Sequence, residues 1–170
     1  PRPRHRMLDH QEFTELRAQW AAAEERRERV IKRSRDLLRE SKHAIYELHR
    51  AGKPEFSSCE AIFRELLALS HEQPALRQSC SAAVEEYVEA RALATFLTEQ
   101  RLVTLRELPG VQPEEYLAGL SDFTGELVRH AVLAATARDV ERVRAVRDLI
   151  DALFGQLVQF DFRNSDLRRK

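Results

Sequence analysis

Residues 13–48 read FTELRAQWAAAEERRERVIKRSRDLLRESKHAIYEL, and their spacing decides the fold class. Phe13, Leu16, Trp20, Ala23, Arg27, Val30, Ser34, Leu37, Ser41, Ala44 and Leu48 recur at three- and four-residue intervals, with Ile31, Leu38 and Ile45 beside them. Together they form one wide face of an α-helix, broader than the seam of a two-stranded coiled coil and suited to a bundle. No Gly or Pro interrupts residues 7–51, and Gly52 and Pro54 follow as stop signals. The pattern predicts a single helix of about 40 residues, on the order of 60 Å long. That is too long for a compact domain of this size to cover, so part of the helix is expected to pack on another subunit.

The rest of the chain is also helical in period. A short helix is expected at roughly 57–70. Pro74 opens a longer one running to about Gln100, with Leu76, Val84, Tyr87, Ala94 and Leu97 facing inward. Thr104 is placed to cap a single turn that Pro109 and Gly110 end. Pro113 starts a helix to about Thr136, helped by Glu114 and Glu115 in its first turn. Asp139 caps another, with Val143, Val146, Ile150, Leu153, Leu157 and Phe160 at core spacing and Phe154 beside them. Asn164 or Ser165 reads as the N-cap of one further helix, which Lys170 cuts short. The expectation is an all-α bundle of about six to seven helices with a very long first helix. It forms one domain over residues 1–170, with residues 1–6 as a flexible tail.

Composition agrees. The 170 residues are 43% hydrophobic and 33% charged, a folded rather than a disordered balance. Five Gly and six Pro are too few for the many turns of a sandwich or barrel. No apolar run approaches the length of a membrane helix, and no apolar core of a signal peptide follows the basic start. Cys59 and Cys80 match no metal or redox motif, so a reducing, cytoplasmic location is expected. The formal net charge is zero but unevenly spread: +4 over residues 1–55, −7 over 56–126 and +3 over 127–170. Such a division suits an anionic partner held beside carboxylates that do something else, although charge counts alone favour solvated helix faces.

There is no Gly-rich phosphate loop, no His spacing for zinc and no evident nucleophile triad. The carboxylates are more telling. Glu86 and Glu89 lie three apart on a helix face whose row continues through Ala82, Leu93 and Phe96; Asp122 and Glu126 lie four apart on another. Gly119 and Gly125 stand beside the second pair, each costing about 1 kcal/mol in a helix interior, which points to a packing or close-approach reason. Two acidic pairs on facing helices can supply four hard oxygen donors, which favour Mg²⁺ or Mn²⁺. The plainer reading is that these are ordinary surface acids. A basic stripe on the first helix includes Arg26, Arg27, Arg29, Lys32, Arg33, Arg35, Arg39, Lys42 and Arg50. It can track a phosphate backbone, with His43, Tyr46 and His49 available to stack on bases. It can also be a solvated face with pairs such as Glu25–Arg29 and Glu28–Lys32.

Four motifs in order resemble the translin superfamily, most closely its factor X branch. They are Arg29-Val-Ile-Lys32 through Arg50 on the first helix, Glu86-Tyr87-Val88-Glu89-Ala90, Tyr116-Leu117 through Glu126-Leu127, and Asn164-Ser165-Asp166-Leu167-Arg168. The resemblance runs from about residue 25 to 170. It implies a helical bundle assembling into a closed octameric shell. It further implies a Mg²⁺-dependent endoribonuclease, with Mn²⁺ as an alternative ion, that cuts single-stranded RNA inside that shell. The family's essential acids fall on Glu86, Glu89, Asp122 and Glu126, as both catalytic and metal-holding residues. Lys32, Arg35 and Arg50 match its RNA-contacting positions. The family's last helix is absent beyond Lys170. The compact chain also resembles the family's prokaryotic and archaeal members, which implies assembly from a single gene product as a homo-octamer, with a translin-type partner subunit as the other arrangement.

Two further readings compete. One is a non-catalytic shell that holds single-stranded RNA or DNA without cutting it. The other is a structural subunit that completes a mixed shell.

Overall fold

The computed structural model describes residues 8–160. Six α-helices and one 3-10 turn make up its regular structure, and no strand occurs among the described residues. The first helix, α1, spans His10–His49, 40 residues without a break. Asp9 caps it, its carboxylate accepting from the backbone N–H groups of Gln11 at 3.0 Å and Glu12 at 3.2 Å. At the other end Ala51 takes a positive φ of 57°, and the N–H of Gly52 donates to the Glu47 carbonyl at 2.9 Å. A Cβ on Gly52 would stand 2.9 Å from that same oxygen, so the turn needs a glycine there.

Only part of the α1 stripe is covered. Val30, Leu37, Ser41, Ala44, Ile45 and Leu48 are buried. Phe13, Leu16 and Trp20 are 45%, 49% and 72% exposed, and no described residue covers them. The apolar period thus continues past the end of this chain's own core.

Four helices pack about that core. They are α1, α2 (Ser57–Leu69), α4 (Ser81–Glu99) and α5 (Pro113–Thr136). The short α3 (Pro74–Ser79) precedes α4, and α6 (Val140–Leu157) lies against α5. Phe63, Leu66, Val84, Val88, Leu93, Phe123 and Leu127 are among the buried side chains between them. Burial of this kind, at about 25 cal/mol per Å² of apolar surface, is what holds a bundle together.

One boundary differs from the sequence reading. A single helix was expected from Pro74 to about Gln100, but it is broken at Cys80 (φ −104°, ψ 0°). The thiol of Cys80 donates to the Arg77 carbonyl at 3.0 Å, and its backbone N–H turns to the same oxygen at 3.3 Å. The bend lets Arg77 reach across to the buried Glu115 on α5, which also accepts from Ser81 Oγ at 3.0 Å and the Gln112 N–H at 2.9 Å. A tertiary ion pair therefore sets this break, with no Gly or Pro to announce it.

The remaining boundaries follow local signals. Thr104 and Glu107 cap the 3-10 turn Leu105–Glu107 reciprocally. Pro113 opens α5, and Asp139 caps α6 by accepting from the Arg142 N–H at 3.1 Å. On α6 only Val146 and Leu153 are buried; Phe154 and Phe160 stay exposed, which corrects the inward placing of Phe160. The expected caps at Asn164 or Ser165, and the tail at residues 1–6, lie outside the described residues.

Candidate metal centre

The site begins with a close crossing of α4 and α5. Gly119 faces Glu85 and Val88; a Cβ at Gly119 would stand 2.6 Å from Val88 Cβ and 2.7 Å from the Glu85 carbonyl oxygen. No side chain fits there, so the absence of one brings the two helices together. A Cβ at Gly125 would meet nothing within 4 Å, so the expected close-approach role holds for Gly119 and not for Gly125.

On α4, Glu86 comes one residue after Glu85 and Glu89 one residue after Val88. Asp122 and Glu126 follow Gly119 at helical spacing on α5. The four carboxylates stand close enough for their charges to act on one another. Glu89 is 8% exposed and accepts no hydrogen bond from any described residue. Burial, then the charges of Glu86, Asp122 and Glu126, push its carboxyl up to about 8. Burial also raises Glu86, and the Lys42 ammonium at 3.5 Å opposes that rise.

Helix α1 closes the third side. Lys42 reaches Glu86, and two turns on the buried His49 donates from Nε2 to Glu126 Oε2. His49 was expected to stack on bases, but its side chain is only 5% exposed and is committed to Glu126. The seven-residue interval from Lys42 to His49 is the sequence signal that places both on the face toward the acids. Tyr46 is exposed and holds Arg50, whose guanidinium donates to the phenol oxygen at 3.0 Å and lies 5.5 Å from the ring centroid.

Four carboxylates drawn together at one crossing, one of them on the buried residue Glu89, form a donor set suited to a hard divalent cation. As they stand, no three His, Cys, Asp or Glu among the described residues form a ready metal cage. Two of the four acids are turned to Lys42 and His49 instead.

The basic stripe divides into two parts. Arg29 and Arg33 cross to Glu65 on α2, at 3.2 and 2.6 Å, and Arg33 also meets Asp36 at 3.2 Å. They are used in packing α1 on α2, and not in the Glu25–Arg29 pairing. Lys32 and Arg35 are exposed and have no ion pair among the described residues. Lys32 and Arg50 lie about five turns apart and so share a helix face, with Arg35 close beside it. That face adjoins the one carrying Lys42 and His49.

An all-α bundle with an overlong first helix and an acid cluster at the α4–α5 crossing defines the class. The chain belongs to the Translin family, whose pattern it matches over residues 25–170. It is 26% identical over 151 residues to an uncharacterized protein of Methanocaldococcus jannaschii, covering 85% of this chain and 68% of that one. It is 22% identical to Translin-associated protein X of Mus musculus, covering 76% of this chain and 60% of the relative. The crystal structure of apo-NeC3PO superposes with a TM-score of 0.75 at 27% identity, covering 96% of this chain and 88% of that one. No helix among the described residues is long and apolar enough to cross a membrane.

Proposed function

We propose that this chain is a metal-dependent endoribonuclease subunit acting on single-stranded RNA within an oligomeric shell. One observation carries the proposal: four carboxylates from α4 and α5 meet at a glycine crossing, and the most buried of them lacks any hydrogen-bonding partner. Like charges in such a pocket repel unless a cation lies among them. Glu86, Glu89, Asp122 and Glu126 would hold Mg²⁺ or Mn²⁺. A bound ion of this kind supplies Lewis-acid activation of water and charge neutralisation at a phosphodiester. For that, Glu86 must turn from Lys42, and Glu126 must offer the ion the oxygen that His49 does not hold. Lys42 then becomes free to face a phosphate, and His49 keeps hold of the α1 side of Glu126. Lys32, Arg35 and Arg50 would hold the strand's backbone along α1. The uncovered Phe13, Leu16 and Trp20 supply an apolar face for a further subunit of the shell, either a second copy of this chain or a translin-type partner.

The test is cleavage of end-labelled single-stranded RNA with Mg²⁺, beside EDTA and Glu126→Ala controls. Cleavage that needs Mg²⁺ and is lost in the variant supports the reading. Cleavage by the variant at the wild-type rate removes the site.

A second reading has its own observation. Lys42 and His49 already satisfy two of the four acids, as they would in a shell that binds single-stranded RNA or DNA without cutting it. Salt-sensitive binding with intact RNA after long incubation in Mg²⁺ would favour it.

A further inference from the structure

Two cavities lie beside the C-terminal half of α5. One, of about 530 Å³, is lined by Phe96, Gln100, His130 and Arg142; the other, of about 440 Å³, reaches His49 and Lys53. Both are lined by Leu97, His130, Asp139 and Arg142, so they are two lobes of one cleft between the end of α4, α5 and the start of α6. The size suits a small organic ligand. His49, the residue that holds Glu126, lines the second lobe. From Glu126 to His130 is one turn of α5, about 6 Å along its axis, close to the advance of one nucleotide in an extended strand.

The lining has two characters. Phe96 and Leu97 form an apolar floor, and the His130 ring stands edge-on to Phe96 with centroids 6.0 Å apart at 89°. Lys53 and Arg142 bring positive charge. Lys53 has no ion pair among the described residues, and Arg142 holds Asp139 only loosely at 3.5 Å. Asp139 and Glu141 also line the cleft. Asp139 directs its other oxygen to the Arg142 backbone N–H at the start of α6, where a negative charge is already favoured.

We propose that this cleft is a nucleotide subsite. The base beside the scissile phosphodiester rests on Phe96, Leu97 and His130, and that nucleotide's phosphate meets Lys53 and Arg142. The inference rests on the nuclease reading for its place in the reaction, but not for its binding chemistry. Stacking on an apolar and aromatic surface tolerates any base, so the subsite adds affinity without sequence preference.

The experiment titrates the full chain in EDTA with adenosine 5′-monophosphate, and separately with inorganic phosphate, by calorimetry. Saturable nucleotide binding about fivefold or more tighter than phosphate is expected from stacking. Arg142→Glu should weaken it about tenfold or more, by loss of a charged contact. Ala145→Phe, which fills the cleft from α6 without changing charge, should weaken it comparably. No saturable binding, or binding that survives both cleft substitutions, overturns the subsite. RNA cleavage measured on the same proteins separates the two readings. Cleavage without nucleotide binding sinks the subsite alone, whereas cleft binding in a chain that never cuts RNA supports the subsite and sinks the nuclease.

Discussion

Gly119 lies against Val88 so closely that a β-carbon on the glycine would sit 2.6 Å from that of the valine. This contact sets the distance between α4 and α5, and with it the spacing of the acid pairs that each helix carries. Gly119→Ala has backbone as well as side chain in its way, the Glu85 oxygen being 2.7 Å from the added carbon. It should destabilise the fold by about 1–3 kcal/mol through overpacking. Gly125→Ala, in open space, should instead stabilise it by about 0.5–1 kcal/mol. Chemical denaturation of both variants checks the contrast; equal effects would show that Gly119 does not set the crossing.

Glu89 should give stability an unusual pH dependence. Its carboxyl titrates near 4.5 when unfolded and is pushed up to about 8 when folded. Between those values the folded chain binds the extra proton, so its contribution is fully present below about pH 4.5 and is lost as pH rises through about 8. In EDTA the slope from this group approaches about 1.4 kcal/mol per pH unit within that window. Glu89→Gln should flatten the slope and be relatively more stable at pH 8 than at pH 5. Melting temperatures measured across that range decide it.

Mg²⁺ should act on the same balance. Added at pH 7–8, it should raise the melting temperature of the wild type, as any ligand of the folded state does. It should raise that of Glu89→Gln or Asp122→Asn much less. Equal shifts in all three proteins would place the ion elsewhere.

The α1 cations should separate by role. Lys32→Glu with Arg35→Glu should weaken single-stranded RNA binding and reduce the slope of log affinity against log salt by about 1–2, at little cost in stability. Arg33→Ala should do the reverse, because its guanidinium bridges Glu65 and Asp36 within the fold. Filter binding at several salt concentrations, with thermal melts beside it, distinguishes the two.

The Arg77–Glu115 pair is almost fully enclosed, its side chains being 17% and 3% exposed. Arg77→Ala leaves the carboxylate buried without its cation and should cost about 3–5 kcal/mol, measurable by urea unfolding.

Local patterning in the sequence was sufficient for most of the architecture. The 40-residue α1, the capping turn at Thr104, the proline start of α5 and the Asp139 cap all depend on residues within a turn or two of each other. The acid pairs were visible for the same reason, since three- and four-residue spacing places side chains on one helical face. Tertiary packing decided the rest, because it joins residues far apart in the chain. It broke the helix at Cys80 so that Arg77 could meet Glu115, needed a bare α-carbon at Gly119 but not at Gly125, and moved His49 from a base-stacking face to Glu126. Helical period tells which way a side chain points; only the packing of whole helices tells what it meets.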